Sequence, residues 1–181
     1  MREPARRIRN IVLTGFMGVG KSTIGRLLAQ KMEFEIIDTD HRIENEQHRT
    51  ISEIFESEGE SAFRALERDF VIRLGNVTKA VISAGGGLVL DSDNVTSLKK
   101  HALIVCLWAT PESIYNRVKT QKHRPLLNCD NPEAAIRELL AKREPIYRAT
   151  SDVLISTELR SANEVVSHVE RQFRIARRQS G

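Results

Sequence analysis

The chain has 181 residues, 40% of them hydrophobic and 29% charged, with a formal net charge of +4. That length suits one domain with a single core, and the composition is that of an ordinary soluble protein. No apolar run approaches the length of a membrane span, and Cys106 and Cys129 match neither a disulfide framework nor a zinc site.

The basic start, Met1 to Arg9, has no apolar signal core behind it, so no cleaved targeting segment is read and a cytoplasmic location is expected. Arg6, Arg7 and Arg9 at one end and Arg174, Arg177 and Arg178 at the other read as solvated tails, spanning 1–9 and 174–181. No aromatics interleave with these charges to make a stacking surface, so nucleic-acid binding is not expected.

Ile11-Val-Leu13 is a short β-branched run that leads into Gly15-Phe-Met-Gly-Val-Gly20 and then Lys21-Ser22-Thr23. Ile24, Leu27, Leu28 and Met32 follow at helical intervals. Strand, glycine loop and helix in that order are the context of a phosphate-binding P-loop. Its amides and the positive helix end face one anion. Lys21 adds a mobile charge for the outer phosphates, and Ser22 offers a hydroxyl to the accompanying Mg²⁺. A phosphate-chain donor, ATP or its like, is thus implied before any acceptor.

Phe34-Glu-Ile-Ile37 reads as a second strand ending at Asp38-Thr39-Asp40, where ligands gather in open α/β sheets. The i, i+2 spacing puts both carboxylates on one side of an extended segment, although a turn pair capping the next helix would look the same. Thr50-Ile-Ser-Glu53 has the form of a capping box opening a helix that stops near Gly59. A second helix is expected over 61–74 with Phe63, Leu66, Phe70 and Leu74 inward. On its other faces Arg64, Glu67 and Arg68 read as exposed charges in i, i+4 pairs.

Ala80-Val-Ile-Ser83 is a third strand that meets Gly85-Gly86-Gly87, and three glycines at a strand end suggest a close backbone approach to a ligand. Leu103 to Trp108 is a fourth strand, and Thr110-Pro111 opens a helix to about Lys119. Arg117, Lys119, Lys122, His123 and Arg124 crowd a stretch broken at Pro125, readable as a mobile lid over 118–130 or as a solvated loop. Asn131-Pro132 repeats the cap-and-proline signature, with a helix expected to end at Arg143-Glu144 before Pro145. Val153-Leu-Ile155 is a fifth strand, and Ser161 or Asn163 caps a last helix with Val165, Val166, Val169 and Phe173 inward. Five strands joined by helical crossovers predict an α/β domain, a doubly wound five-stranded parallel sheet flanked by helices.

Taken together, the chain resembles the shikimate kinases, P-loop kinases related to nucleoside monophosphate kinases. The resemblance runs from Ile11 to about Val169, through G-F-M-G-V-G-K-S-T, D-T-D at 38–40, I-S-E-I-F-E-S-E-G-E-S-A-F-R at 51–64, G-G-G at 85–87, R-P-L-L at 124–127 and K-R-E-P-I-Y at 142–147. It implies the P-loop kinase fold and transfer of the ATP γ-phosphoryl group to the 3-hydroxyl of shikimate, a step of aromatic amino acid biosynthesis. By this resemblance Gly18, Val19, Gly20, Lys21, Ser22 and Thr23 hold ATP, with Arg117 on the adenine, Arg124 on the phosphates and Arg160 near the nucleotide. Asp40, Arg64, Arg143 and Gly85 to Gly87 would hold shikimate, Lys21, Asp40 and Arg124 being catalytic. Ser22 would bind Mg²⁺ directly, and Asp38 through water. A monomer is expected. A kinase for gluconate or a nucleoside monophosphate, or a non-catalytic nucleotide-binding relative, are the competing readings; a GTPase switch lacks its Asn-Lys-x-Asp here.

Overall fold

A computed structural model describes residues 6–119, 129 and 131–180. Its five strands are β1 (Asn10–Thr14), β2 (Glu35–Asp38), β3 (Ala80–Ser83), β4 (Ala102–Trp108) and β5 (Val153–Ser156). They form one sheet in the order β2-β3-β1-β4-β5, and every pairing is parallel. Ile11 of β1 stands opposite Val81 on one side and Leu103 on the other. β1, β3 and β4 are buried on both faces, which explains why they read as unbroken apolar runs rather than alternating ones. At the edges, Ile36 of β2 and Leu154 of β5 are exposed.

Helices cover both faces: α1 (Lys21–Met32), α2 (Thr39–Gln47), α3 (Ile51–Leu74), α4 (Ser92–Lys99), α5 (Pro111–Val118), α6 (Pro132–Thr150) and α7 (Ala162–Gln179). Thr50 with Glu53, and Ser161 with Glu164, form complete capping boxes at the starts of α3 and α7. Asn131 caps α6, its side chain accepting from the Ala134 amide at 3.1 Å. α1 and α7 pack together, with the Phe34 and Phe173 rings meeting edge to face at 5.8 Å.

Several expectations need correction. α4, a short helix capped by Asp91, has no forerunner in the sequence reading, and the strongly polar α2 is foreshadowed only as the helix that the Asp38–Asp40 turn pair would cap. By contrast, the stop expected at Gly59 is present: its φ of 83° is non-helical, and α3 consists of one helix on either side of that kink. Pro145 does not end α6, which continues to Thr150. Proline removes one hydrogen bond to the carbonyl four residues back, here that of the exposed Ala141, which water can satisfy.

The terminal arginines are not simply solvated tails. Arg6 pairs with Asp152 at 2.6 Å and also donates to the Ala102 carbonyl, and Arg9 donates to the Gly75 carbonyl. Arg174, Arg177 and Arg178 belong to α7. Nearby, at the N-terminal end of the sheet, Asn10 is fully buried. Its amide donates to the Val77 carbonyl at 2.7 Å and lies 3.0 Å from Nδ1 of buried His101, while its oxygen accepts from the Ala80 amide.

Candidate active site

At the opposite, C-terminal end of the sheet the strands open onto a cleft of about 1100 Å³. The P-loop forms one wall. Gly15, Gly18 and Gly20 have φ of 129°, 76° and 100°, the left-handed region that a side chain would strain. Phe16 and Val19 turn into the core, leaving Gly18, Gly20, Lys21, Ser22 and Thr23 on the cleft. Any contact of Val19 with a ligand therefore falls to its backbone. The Lys21 Nζ donates to the carbonyls of Gly15 and Phe16 at 2.9 and 3.0 Å, so the ammonium is folded over the loop at the start of α1.

Gly85 to Gly87 make the facing wall. They do not need glycine for positive φ, since none of the three has it. Gly85 and Gly87 need it for space, whereas a β-carbon on Gly86 would make only ordinary van der Waals contacts. A β-carbon on Gly85 would overlap the Asp40 carboxylate, one on Gly87 would stand 2.6 Å from Nη1 of Arg64, and one on Gly86 would meet Nη1 of Arg143 at 3.6 Å. Each glycine thus lies against one of the three charged side chains expected to hold the acceptor. The Gly85 amide is already committed, donating to the Thr39 hydroxyl at 2.9 Å.

Asp38 and Asp40 both line the cleft, but not as neighbours on one extended strand. Asp38 ends β2 and caps α2, and Asp40 sits in the first turn of that helix. The turn-and-cap alternative is the geometry found, and both carboxylates still reach the cleft. Asp40 is half-buried, and its pKa is raised, first by burial and then by Asp38 and Glu44, against the opposing pull of Lys21 and Arg64. A carboxylate raised in this way is a stronger proton acceptor than a solvated one.

Arg64 is held from two sides. Its Nη1 bonds to Glu67, while Nε and Nη2 reach Glu60 at 3.2 and 2.9 Å. Glu67 is not an exposed helix charge but a buried one, 1% exposed. Burial raises its pKa, and Arg64 counters this. Removal from water works against the charge of Arg64, but Glu67 and Glu60 outweigh it and its pKa is raised. The sequence signal for Glu67 was weak, because Arg-x-x-Glu on a helix also describes a solvated pair.

Arg143, on α6, lines the cleft with its guanidinium 5.9 Å from the ring centre of Phe16. Arg117 lies across the P-loop end: it bonds to the Thr157 hydroxyl at 2.9 Å and the Thr157 carbonyl at 3.0 Å, and Gly18 O is 3.5 Å away. Arg160 is not brought to the cleft; its guanidinium lies 3.4 Å from Nδ1 of His168 on α7. Arg124 and nearly all of the expected lid lie outside the described residues. Sequence reasoning also missed Glu44, Ser52, Phe55 and Glu56, a wall supplied by α2 and the first turns of α3.

The shikimate kinase family model matches residues 17–174. A shikimate kinase of Thermoanaerobacter pseudethanolicus is 43% identical over 166 residues, 92% of this chain and 96% of that protein. One of Hahella chejuensis is 39% identical over 172 residues, 95% and 90% of the two chains. Among solved structures, a shikimate kinase from Acinetobacter baumannii in complex with shikimate superposes with a TM-score of 0.85 at 35% identity, covering 94% of this chain and 95% of that one. A gluconokinase from Sinorhizobium meliloti shares the fold at a TM-score of 0.56 and 14% identity, over 94% and 95% of the two chains.

Proposed function

The chain belongs to the shikimate kinase family, and on that premise we infer that it transfers the γ-phosphoryl group of ATP to the 3-hydroxyl of shikimate, giving shikimate 3-phosphate and ADP. The observation that carries this reading is the convergence of Asp40, Arg64 and Arg143 on the three glycines facing the P-loop across one cleft.

In this reading Arg64 and Arg143 clamp the shikimate carboxylate, a task suited to the planar, always-charged guanidinium. Asp40 accepts the hydrogen bond of the attacking hydroxyl and takes its proton as the oxygen bonds to the γ-phosphorus. The raised pKa of Asp40 supports that role. Lys21 offsets charge on the transferring phosphoryl oxygens, and the P-loop amides hold the phosphate chain. Arg117 meets the adenine, and Arg124 reaches the phosphates from the lid.

Among the described residues there is no cluster of three or more His, Cys, Asp or Glu side chains that could hold a metal. Ser22 and Asp38, a hydroxyl and a carboxylate lining the same cleft, are oxygen donors of the kind a hard divalent cation prefers. Mg²⁺ bound there would neutralise phosphate charge; positioning and proton transfer fall to the protein side chains. A cytoplasmic location and a monomeric state belong to the same proposal. No described helix is long and apolar enough to cross a membrane.

Coupled ADP release with ATP, Mg²⁺ and, in turn, shikimate, gluconate and AMP tests the substrate. Turnover should depend on shikimate. Folded, ATP-binding protein that turns over gluconate or AMP instead would overturn the reading.

A further inference from the structure

Resting on that function, we propose that Tyr147 is a positioning residue, its hydroxyl locking the Gly86–Gly87 peptide and steadying Arg143 for acceptor binding. Because α6 runs through Pro145, Arg143 and Tyr147 stand one turn apart on one face of the helix. The Tyr147 ring is 2% exposed, and its hydroxyl donates to the Gly86 carbonyl at 2.7 Å. A β-carbon on Gly86 would lie 3.6 Å from Arg143 Nη1, 3.9 Å from the Tyr147 oxygen and 4.0 Å from the Gly15 carbonyl oxygen. One buried hydroxyl therefore sits where the acceptor loop, the carboxylate clamp and the P-loop meet.

A peptide between two glycines lacks the β-carbons that normally restrict its orientation. Pinning the Gly86 carbonyl removes that freedom. In a trans peptide the N–H points opposite to the carbonyl, so the Gly87 N–H is directed away from α6. The Arg143 guanidinium and the tyrosine oxygen flank the same Gly86 position, and the charge of Arg143 opposes the rise that burial gives the tyrosine pKa. The donor stays protonated at neutral pH. Packing alone would be served by phenylalanine, and burying a hydroxyl is unfavourable unless it is bonded. Here its bond goes to a loop that lines the cleft.

Tyr147→Phe keeps the ring and removes the lock. The shikimate KM should rise about five- to twentyfold, while the ATP KM stays within roughly twofold and thermal unfolding is little changed. A merely structural role would not split the two KM values. Unchanged shikimate KM, or both values rising together, overturns the proposal. A second readout needs neither turnover nor the variant: in the native protein the Tyr147 hydroxyl proton should exchange slowly with water and show cross-relaxation to the Gly86–Gly87 protons. A fast-exchanging hydroxyl without that contact overturns the lock. Absence of shikimate turnover in the native enzyme would instead sink the functional reading, leaving the lock to be decided by this measurement.

Discussion

The α-carbon of Gly87 lies so close to the Arg64 guanidinium that a β-carbon there would stand 2.6 Å from Nη1 and 2.7 Å from Nη2. Gly87 has φ of −102°, which alanine adopts without strain. Gly87→Ala should therefore fold normally and displace Arg64. We expect the shikimate KM to rise about tenfold or more with little change in the ATP KM, because small misplacements of a positioning group have large effects. Steady-state kinetics with each substrate varied decides this; parallel changes in both KM values would remove Arg64 from the clamp.

Asp40 has a raised pKa, so kcat/KM for shikimate should fall on the acid side through a limb above the ordinary carboxylate value of about 4. Glu44 is one of the negative charges that raise it. Glu44→Gln removes that charge, lowers the Asp40 pKa and should move the limb to lower pH. A pH–rate profile that places the limb at or below about 4 in the native enzyme would show that the Asp40 carboxyl is not raised and remove that support for its role as base.

Lys21 donates to two P-loop carbonyls and its charge also acts on Asp40. Lys21→Ala should accordingly lower kcat about 10²- to 10³-fold, the scale seen when one charge-stabilising donor is lost. Shikimate binding measured directly by calorimetry should be nearly unchanged. Near-native kcat would refute the phosphate role.

What the sequence made legible was mostly local. Apolar runs, capping boxes and the glycine loop each report short-range physics, and they located the strands, the starts of α3 and α7, and the donor half of the site. The acceptor half depended on pairings distant in the chain. Nothing near Gly87 announces that Arg64 lies against it, and nothing in the helical spacing of Glu67 announces that it is buried beneath that arginine. Arg64 becomes a candidate through family resemblance, Gly87 already stands out as part of a glycine run at a strand end, and Glu67 is not a candidate at all; the sheet order brings the end of β3 beside the P-loop. Pro145 misled for the converse reason. Its local penalty is real, but the packing of Ile136, Leu140 and Tyr147 carries α6 through it.

The end of the sheet away from the cleft holds a buried titratable group that makes stability depend on pH. His101 is 3% exposed, bonded to Asn10 and faced by Arg9 and Arg6, and its pKa is lowered to about 4, first by burial and then by those two charges. In the unfolded chain it returns to an ordinary value near 6.5. Between those values the unfolded state binds a proton that the folded state refuses, so stability is lost as pH falls through the window. The loss should approach roughly 3 kcal/mol, at 1.36 kcal/mol per pKa unit. Urea unfolding at pH 7 and pH 4.5 measures it. Other groups titrate in the same range, so the test is the difference from His101→Gln, which cannot take the charge. The variant should be less stable than native protein at pH 7 yet fall less steeply towards pH 4.5. Equal slopes in the two proteins would show that His101 is not what acid attacks.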